Sequence, residues 1–366
     1  MAKKHLFFPG QKILLKPHSQ LYKGTYEVTV HEITRNSLRV TMPYDNGRIV
    51  LLAVGTEVEI KGANTVFQSK IVDKEHSENS TLTIAIPECV RESQHQNNTG
   101  PKIIAVTSGK GGVGKTNFVI NVAIALAKKG LRTFIIDADL GTANVDVLLN
   151  IHPKYTLQDL VEGTKDNILD IIVEGPEGIQ IVPGSSGFQS LADLSENELS
   201  NVIKKFEPLQ EYADVIIIDT GAGLSRNVIK FVLAADEVIV ITTTEPHAIT
   251  DAYAIIKVLD DKDSTLNTKL IVNRVDSKNE AMKIIKRMES VVERFLNIKV
   301  TGLGYIFEDP NIRKAVKNYT PFIKYSPHSL AAKCITGLAD KINPLNKQTD
   351  NISNKSFLAK LKKIFS

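Results

Sequence analysis

The sequence predicts an α/β protein whose main domain is a mostly parallel, doubly wound sheet, with a small β-barrel-like domain before it and an amphipathic helix after it. From Pro101 onward, strand-like apolar runs alternate with helical patterns, an order typical of a parallel sheet with helices on both faces. Before Glu88 there are only short alternating runs separated by turn signals. The end of the chain, residues 355–366, combines lysines with apolar residues at helical spacing.

The N-terminal segment is predicted to be a separate β-rich domain spanning residues 1–88. Turn signals at Asp45-Asn46-Gly47 and Lys61-Gly62 are spaced as in a small barrel, and no long helical pattern interrupts them. Residues 89–100 are rich in Gln, Asn and Ser and are predicted to be a linker. The runs that predict strands in this domain are Tyr26–Val30, Ser37–Val40, Ile49–Leu52, Val58–Ile60, Val66–Val72 and Leu82–Ile86.

The second domain is predicted to span residues 101–342, followed by a polar linker at 343–354. Repeated strand–helix units of this kind bind ligands at the carboxyl ends of their strands. The predicted strands are Lys102–Thr107, Arg132–Asp137, Ile179–Val182, Asp214–Asp219, Glu237–Ile241, Lys269–Asn273 and Val300–Leu303. The predicted helices are Asn117–Lys129, Glu196–Glu211, Leu224–Ala235, Ile249–Asp260, Glu280–Leu296 and Ser329–Leu338.

A glycine-rich segment joins the first strand and the first helix of this domain. Its sequence is Gly109-Lys110-Gly111-Gly112-Val113-Gly114-Lys115-Thr116, followed by Asn117. A phosphate-binding P-loop requires this context, because glycines let successive backbone N–H groups converge on a phosphate and the helix N-terminus adds its dipole. Lys115 is placed to reach the β- and γ-phosphates, and the Thr116 hydroxyl to ligate Mg²⁺. We therefore predict a nucleotide site here, with a second lysine, Lys110, inside the loop.

Acidic and amide side chains follow three other predicted strands. Asp137 and Asp139 end the second strand, Asp219 ends the strand that begins at Asp214, and Asn273 and Arg274 end the strand that begins at Lys269. Carboxylates at this edge of the sheet suit a Mg²⁺ ion, and an asparagine amide can bind a purine edge. Each of these residues alone could be a helix cap or a turn residue. Their coincidence with the P-loop favours a functional role.

At this point the motifs resemble a known family. Lys110-Gly-Gly-Val-Gly-Lys115-Thr116 with Asp137-Ala-Asp139-Leu-Gly-Thr-Ala-Asn144 is similar to the deviant Walker A ATPases of the MinD/ParA class. The resemblance covers about Lys102 to Ala339, and its later part resembles the MinD-like flagellar number regulators called FlhG, FleN or YlxH. The later segments are Asp219-Thr-Gly-Ala-Gly, Thr243-Thr244-Glu245-Pro246-His-Ala-Ile-Thr-Asp251-Ala-Tyr253, Val272-Asn273-Arg274 and Asp309 to Pro321.

The resemblance implies roles for individual residues. Lys110 matches the lysine that crosses an ATP-bound dimer to touch the partner's nucleotide, and Lys115 and Thr116 match the phosphate and Mg²⁺ residues. Asp139 matches the residue that orients the attacking water. Asp137 matches a carboxylate on the Mg²⁺ side, Asp219 the Walker B aspartate, and Asn273, with Arg274 beside it, the adenine-binding asparagine. A lysine supplied by the partner would couple turnover to dimerisation, because phosphoryl transfer depends on positioning and charge neutralisation.

The resemblance also implies a cellular role. The chain is expected to be a slow, Mg²⁺-dependent ATPase that dimerises with ATP and regulates flagellar number or placement. Expected partners are a second copy of the chain, an anionic membrane surface, the GTPase FlhF and flagellar switch proteins. The expected location is the cytoplasm and the inner face of the cytoplasmic membrane.

The C-terminal segment supports a membrane role. Phe357, Leu358, Leu361, Ile364 and Phe365 follow helical spacing, and lysines occupy other positions. A short basic amphipathic helix of this kind suits an anionic membrane surface, and it resembles the membrane-targeting tail of MinD-type proteins. The alternative is a frayed terminus or a helix docked on the body.

The N-terminal domain departs from that family. It resembles the N-terminal barrel of YcgR-type flagellar brake proteins, through Gly10-Gln11-Lys12, Ile49–Leu52, Val58 and Ile84-Ala-Ile86-Pro87. In those proteins a domain that binds cyclic di-GMP through an arginine motif follows, whereas here no RxxxR or DxSxxG precedes the linker. Cyclic di-GMP binding is not predicted. We expect a protein-interaction role, with a structural spacer as the alternative.

The distribution of charge along the chain bears on whether the protein binds nucleic acid. Lys341 to Ser366 contains six lysines and one aspartate, a balance of +5, so the rest of this +4 chain sums to −1 and has no broad nucleic-acid footprint. A ParA-like partition ATPase that positions DNA or another cargo remains the alternative function.

Cys89 and Cys334 form no CxxC and are interpreted as free thiols, which disfavours an iron–sulfur carrier. No tyrosine follows Tyr325, which disfavours a related tyrosine kinase. No apolar run is long enough for a spanning helix, and the N-terminus does not resemble a secretory signal.

Overall fold

The computed structural model describes residues 7–18, 24–34, 37–45, 48–62, 66–75, 80–86, 100–139, 145–184 and 196–346. These residues form two units, a barrel and an α/β domain. The predicted linker at 89–100 lies outside the described residues apart from its last position. The predicted C-terminal helix at 355–366, with Phe357, Leu358, Leu361, Ile364 and Phe365, lies outside them entirely.

The first unit is a closed six-stranded antiparallel barrel. Its inward side chains alternate with outward polar ones along each strand, as in β1, where Ile13 and Leu15 are buried. The strands follow one another around the barrel in the order β1-β2-β3-β8-β7-β6, and β4 and β5 form a separate hairpin. The bounds are β1 Lys12–Pro17, β2 Tyr26–Ile33, β3 Ser37–Thr41, β4 Tyr44–Asp45, β5 Arg48–Ile49, β6 Glu57–Lys61, β7 Val66–Glu75 and β8 Thr81–Ala85.

The barrel differs from the sequence prediction at two places. Ile49–Leu52 is not a barrel strand, because only Arg48 and Ile49 pair in a ladder, with β4. Val50 and Leu52 are nevertheless buried, so the apolar run reflects packing on the barrel core. Strand β1 was not predicted, because the outward Leu14, which is 38 % exposed, masks its alternation.

The second unit is built on an eight-stranded sheet in the order β11-β12-β10-β13-β9-β14-β15-β16. All neighbours are parallel except β11, which pairs antiparallel with β12 at one edge. The central strands are apolar on both faces, as a sheet covered on both sides requires. The bounds are β9 Lys102–Ser108, β10 Thr133–Ala138, β11 Val173–Glu174, β12 Gln180–Val182, β13 Val215–Ala222, β14 Glu237–Thr242, β15 Thr268–Val275 and β16 Val300–Phe307.

The helices cover the two faces of the sheet. The described helices are α1 Lys115–Ala127, α2 Val145–Leu149, α3 Leu157–Val161, α4 Glu196–Lys205, α5 Leu209–Tyr212, α6 Arg226–Leu233, α7 Pro246–Lys262, α8 Lys278–Phe295, α9 Pro310–Lys317, α10 Phe322–Tyr325 and α11 Leu330–Ile342. Single 3₁₀ turns lie at Ile168–Asp170, Pro176–Gly178 and Pro344–Asn346. Helices α1 and α9 to α11 share one apolar cluster, and α6 to α8 share another.

The distribution of helices follows from the handedness of the crossovers. The connection from β9 through α1 to β10 and the connection from β13 through α6 to β14 run in opposite directions along the sheet. Right-handed crossovers in opposite directions place their helices on opposite faces. The sheet therefore opens at its carboxyl edge around the central strand β9, where the P-loop begins.

The predicted α/β fold with its N-terminal barrel is confirmed, and the differences in the second unit are local. The single helix predicted at Glu196–Glu211 is two helices, because a turn at 206–208 separates them and its last residue, Pro208, has no N–H with which to continue the first helix. Helices α9 and α10 were not predicted, since each is short and interrupted by polar turns. No helix among the described residues has both the length and the apolarity needed to cross a membrane.

Candidate nucleotide-binding site

The P-loop occupies the turn between β9 and α1. Gly112 and Gly114 have φ angles of 77° and 96°, a region that glycine adopts without a steric penalty. Gly114 caps α1, and the helix begins at Lys115. The N-terminal N–H groups of α1 therefore face the mouth of the loop, where they can bind an anion. Lys110 and Gly111 are exposed, whereas Val113 is buried and anchors the loop.

Two contacts fix the position of the loop. A Cβ atom on Gly109 would overlap the backbone carbonyl of Asp251 in α7, so only glycine allows this approach. On the other side, the Asn273 amide nitrogen donates a hydrogen bond to the Val113 carbonyl oxygen at 2.7 Å. A Cβ on Gly114 would lie 2.5 Å from that same nitrogen. The loop is thus held between α7 and the end of β15.

Asn273 is 8 % exposed and uses both ends of its amide group. Besides the bond to Val113, its oxygen accepts a hydrogen bond from the Arg274 backbone N–H at 2.9 Å. Arg274 has a positive φ of 58° and lies near the carboxyl end of β15, where the pairing with β16 shifts its register between Asn273 and Val275. The predicted contact of Asn273 with adenine stays a prediction. It would use the second amide proton, because the first braces the P-loop.

Asp137 and Asp219 lie side by side. They are paired positions on the parallel strands β10 and β13, and they are 2 % and 0 % exposed. Asp137 accepts hydrogen bonds from the backbone N–H groups of Asp139 at 3.2 Å and Val145 at 3.1 Å. It thereby ties the end of β10 to the start of α2. Asp139 is half-buried, and its carboxylate lies next to Gly221.

Asp219 is the most electrostatically unusual group of the site. Neither of its carboxylate oxygens has a hydrogen-bond partner of standard geometry among the described residues. Burial, and then the charge of Asp137, raise the pKa of this carboxyl to about 7, although the nearby Thr116 hydroxyl and the Lys115 ammonium act in the opposite direction. Two buried oxygens without partners are costly unless a ligand satisfies them.

Lys115 lies beside these carboxylates and is 8 % exposed. Burial lowers the pKa of its ammonium group, while the charges of Asp219 and Asp139 raise it. When all four groups are ionised, the three carboxylates and this one ammonium leave a net charge of −2. The buried carboxylates can therefore bind a cation, whereas Lys115 and the N-terminus of α1 favour an anion at the opening of the site.

This donor set fits a Mg²⁺ ion that arrives with a nucleotide. Mg²⁺ prefers oxygen ligands and usually combines one or two carboxylates with phosphates and waters. Thr116, Asp137 and Asp219 supply a hydroxyl and carboxylates at one point of the sheet edge, and among the described residues the Asp219 oxygens have no hydrogen bond of standard geometry. Within the described ranges, no group of three or more His, Cys, Asp and Glu residues could hold a metal by itself.

Lys110 is held by a residue from a distant part of the chain. Its ammonium nitrogen lies 2.8 Å from a carboxylate oxygen of Glu245, just before α7, and the two side chains are 46 % and 58 % exposed. The hydrogen bond and charge of Glu245 raise the pKa of Lys110, and Lys110 in turn lowers the pKa of Glu245. Exposed pairs of this kind contribute little stability. Lys110 can therefore leave Glu245 for another contact at a small cost in free energy.

Further charges surround the mouth of the site. The Arg274 guanidinium lies 4.0 Å from Glu308, which also pairs with Arg313 at 3.2 Å. The structure thus brings together at one edge every predicted residue from the P-loop, from the ends of β10 and β13, and from Asn273–Arg274. Sequence reasoning missed the pairing of Glu245 with Lys110. No local signal could have revealed it, because the two residues are 135 positions apart.

Comparisons with known proteins agree with this geometry. A family model described as an AAA domain matches residues 101–272. A second model, described as flagellar protein YcgR, matches residues 9–87. The resemblance of the N-terminal domain to the YcgR barrel is thereby confirmed.

Individual relatives cover the second unit. The chain is 40 % identical over 242 residues to the antiactivator FleN of Pseudomonas aeruginosa, a match that covers 66 % of this chain and 86 % of FleN. It is 33 % identical over 249 residues to the flagellum site-determining protein YlxH of Helicobacter pylori, covering 68 % and 84 % of the two chains. Among solved structures, the septum site-determining protein MinD of Pyrococcus horikoshii, complexed with Mg-ADP, is 29 % identical with a TM-score of 0.55. That match covers 67 % of this chain and 97 % of MinD.

Proposed function

The chain belongs to the MinD-like family of P-loop ATPases that includes FleN and YlxH, and from this premise we propose that it is an ATP-driven dimerisation switch that regulates flagellar number or placement. The observation that carries the proposal is the P-loop with two lysines. Lys115 is buried at the carboxylates of the site, whereas Lys110 projects to the surface. The first can bind the phosphates of its own nucleotide, and the second can reach another molecule once its exposed pair with Glu245 opens.

The position of Lys110 supports a role in dimerisation. An exposed ammonium at the mouth of the site can contact the phosphates of a nucleotide on a facing protomer. There it would neutralise charge that develops during phosphoryl transfer. Its exchange from Glu245 to a partner's nucleotide would make the ATP-bound dimer, and not the monomer, the hydrolytic form. Hydrolysis would then limit the lifetime of the dimer.

The residues around Asp219 would hold Mg²⁺ with the nucleotide. When bound, the ion would neutralise phosphate charge. Thr116, Asp137 and Asp219 would position it, and Asp139 would orient the attacking water. Lys115 would bind the phosphate oxygens, and Asn273 with Arg274 would bind the base.

The names of the relatives support a role in the regulation of flagella. FleN is an antiactivator and YlxH determines the flagellar site, and the barrel resembles part of a flagellar protein. We therefore expect the partners to include the GTPase FlhF and flagellar switch proteins. The barrel would serve as a protein-interaction module.

A deletion strain tests the cellular part of the proposal. Removal of the gene should change the number or the position of flagella, counted by electron microscopy. Complementation with the wild-type gene should restore the original pattern, and complementation with a Lys115→Ala variant should not, because the switch needs nucleotide. Unchanged flagellation in the deletion strain would contradict the flagellar role and leave only the ATPase switch.

We further propose that the switch works at the inner face of the cytoplasmic membrane through residues 355–366. One short amphipathic helix binds a membrane weakly, so two tails in a dimer would bind much more strongly than one. ATP should therefore promote sedimentation with anionic vesicles. Deletion of Lys355–Ser366 should reduce that sedimentation by about tenfold or more. Equal sedimentation of the full-length and shortened chains would contradict the role of the tail.

A further inference from the structure

The surface of α9 to α11 has an unusual charge distribution. Between Asp309 and Asp340 the sequence contains no acidic residue. The exposed residues that we call the basic face are Arg313, Lys314, Lys317, Lys324 and Lys333, with Tyr319, Tyr325 and Leu330 among them. Helix α8 on the opposite face of the sheet differs, because Glu280, Glu289 and Glu293 lie among its cations.

These helices form one continuous layer. The buried sides of α9 and α11, which include Ala315 and Ile335, pack into the cluster under α1. Helix α10 packs between them, and its Ile323 N–H donates to the Asn121 side chain of α1 at 2.9 Å. The cations of α9 and α11 therefore point away from the sheet on the same side of the domain.

The basic face also exposes apolar surface. Tyr319, Tyr325 and Leu330 are 55 %, 42 % and 59 % exposed. Lysines around tyrosines and a leucine suit the boundary of a membrane, where the cations meet anionic headgroups and the rings and the leucine enter the interface. A nucleic acid would satisfy the lysines but would not bury Leu330.

The connection between α11 and the tail also favours a membrane as the partner of the basic face. Helix α11 leads from Leu330 directly to residues 343–366, whose last segment has the same composition of lysines and large apolar residues. Helix α11 is about 20 Å long, and a segment of the length of residues 343–354 can span up to about 40 Å. A membrane to which the tail binds is thus close enough to contact the basic face as well.

We propose that the basic face is a second lipid-contacting surface, which binds the anionic headgroups of the membrane to which the tail attaches. This inference rests on the membrane attachment proposed above. The tail would supply insertion, and the basic face would supply headgroup contacts that fix the orientation of the domain on the membrane. Each lysine near an anionic surface adds an attraction that salt screens.

A pair of matched variants of the full-length chain tests the proposal. The first carries Lys314→Gln, Lys317→Gln and Lys333→Gln on the basic face. The second carries Lys283→Gln, Lys286→Gln and Arg287→Gln, exposed positions of α8 that remove the same charge from the opposite face. Sedimentation is measured with a non-hydrolysable ATP analogue and vesicles of phosphatidylglycerol mixed with phosphatidylcholine.

We expect the basic-face variant to bind about tenfold more weakly than the α8 variant, and the difference to disappear at high salt. Leu330→Ser should also weaken binding, with less dependence on salt. Equal binding of the two triple variants would contradict lipid contact by the basic face and would leave membrane binding by the tail unaffected. No binding by the wild-type chain would overturn membrane attachment as a whole. If the basic-face variant instead lost affinity for a DNA duplex at physiological salt and kept its vesicle binding, the face would be a nucleic-acid surface.

Discussion

Replacement of Lys110 by alanine is expected to abolish ATP-dependent dimerisation and to lower the rate of ATP hydrolysis by about 100-fold or more. Loss of a single charged group that stabilises a transition state has an effect of this size. Lys115 and the carboxylates remain in place, so nucleotide binding should persist. The measurements are the molar mass in solution with ADP and with an ATP analogue, and the turnover rate.

The pair between Lys110 and Glu245 provides the control. Glu245→Gln removes the negative charge from the side chain that holds Lys110 at 2.8 Å and leaves the lysine intact. If Lys110 acts across a dimer, this variant should hydrolyse ATP and dimerise at the same or a lower ATP concentration, because its lysine is held less strongly. A loss equal to that of Lys110→Ala would show that the contact within one chain is what hydrolysis needs. Normal hydrolysis by monomeric Lys110→Ala protein would contradict the switch.

Replacement of Asp219 by asparagine is expected to stabilise the nucleotide-free protein and to inactivate it. Asparagine has nearly the same shape and removes a buried charge that has no hydrogen bond of standard geometry within the described part of the chain. At pH 8 the gain could reach about 4 kcal/mol in the free energy of unfolding, from a pKa raised from 3.8 to about 7. ATP hydrolysis should be lost, because Mg²⁺ loses a charged ligand.

The pH dependence of stability has a definite sign. The folded pKa of Asp219 lies above the unfolded value, so the folded state binds more protons between these two values. The contribution of this group to stability is therefore complete below about pH 4 and is lost as the pH rises through about 7. Thermal melts of the wild-type chain without nucleotide should show this decline. The melting temperature of Asp219→Asn should change less over the same interval.

Asp214, the residue just before the same strand, offers a matched control. Its carboxylate pairs with the Arg132 guanidinium at 2.7 Å and also accepts the Arg132 backbone N–H at 2.9 Å. Asp214→Asn should therefore destabilise the protein, because it weakens a buried pair that is satisfied. Destabilisation by Asp219→Asn at pH 8 would contradict the prediction and would show that the fold itself needs this charge.

Much of the candidate site could be predicted from the sequence, because its residues follow strands of simple composition. The runs before Gly109, Asp137, Asp219 and Asn273 are almost wholly apolar, as strands buried on both faces must be. The carboxyl ends of parallel strands share one edge, so these residues had to meet. The barrel was less predictable, since a run such as Ile49–Leu52 is apolar whether it pairs or only packs.

The sequence by itself determined the α/β class, the P-loop and the family, because these depend on periodicity and on motifs that are local in the chain. Only the tertiary structure decided which groups face one another. It placed Glu245 on Lys110, packed Asp251 against Gly109 and buried both oxygens of Asp219 with no hydrogen bond of standard geometry from the residues that the structure describes. It also brought the cations of α9 and α11 to one side of the sheet. Contacts of this kind depend on how strands order and helices cross in space, which no local pattern encodes.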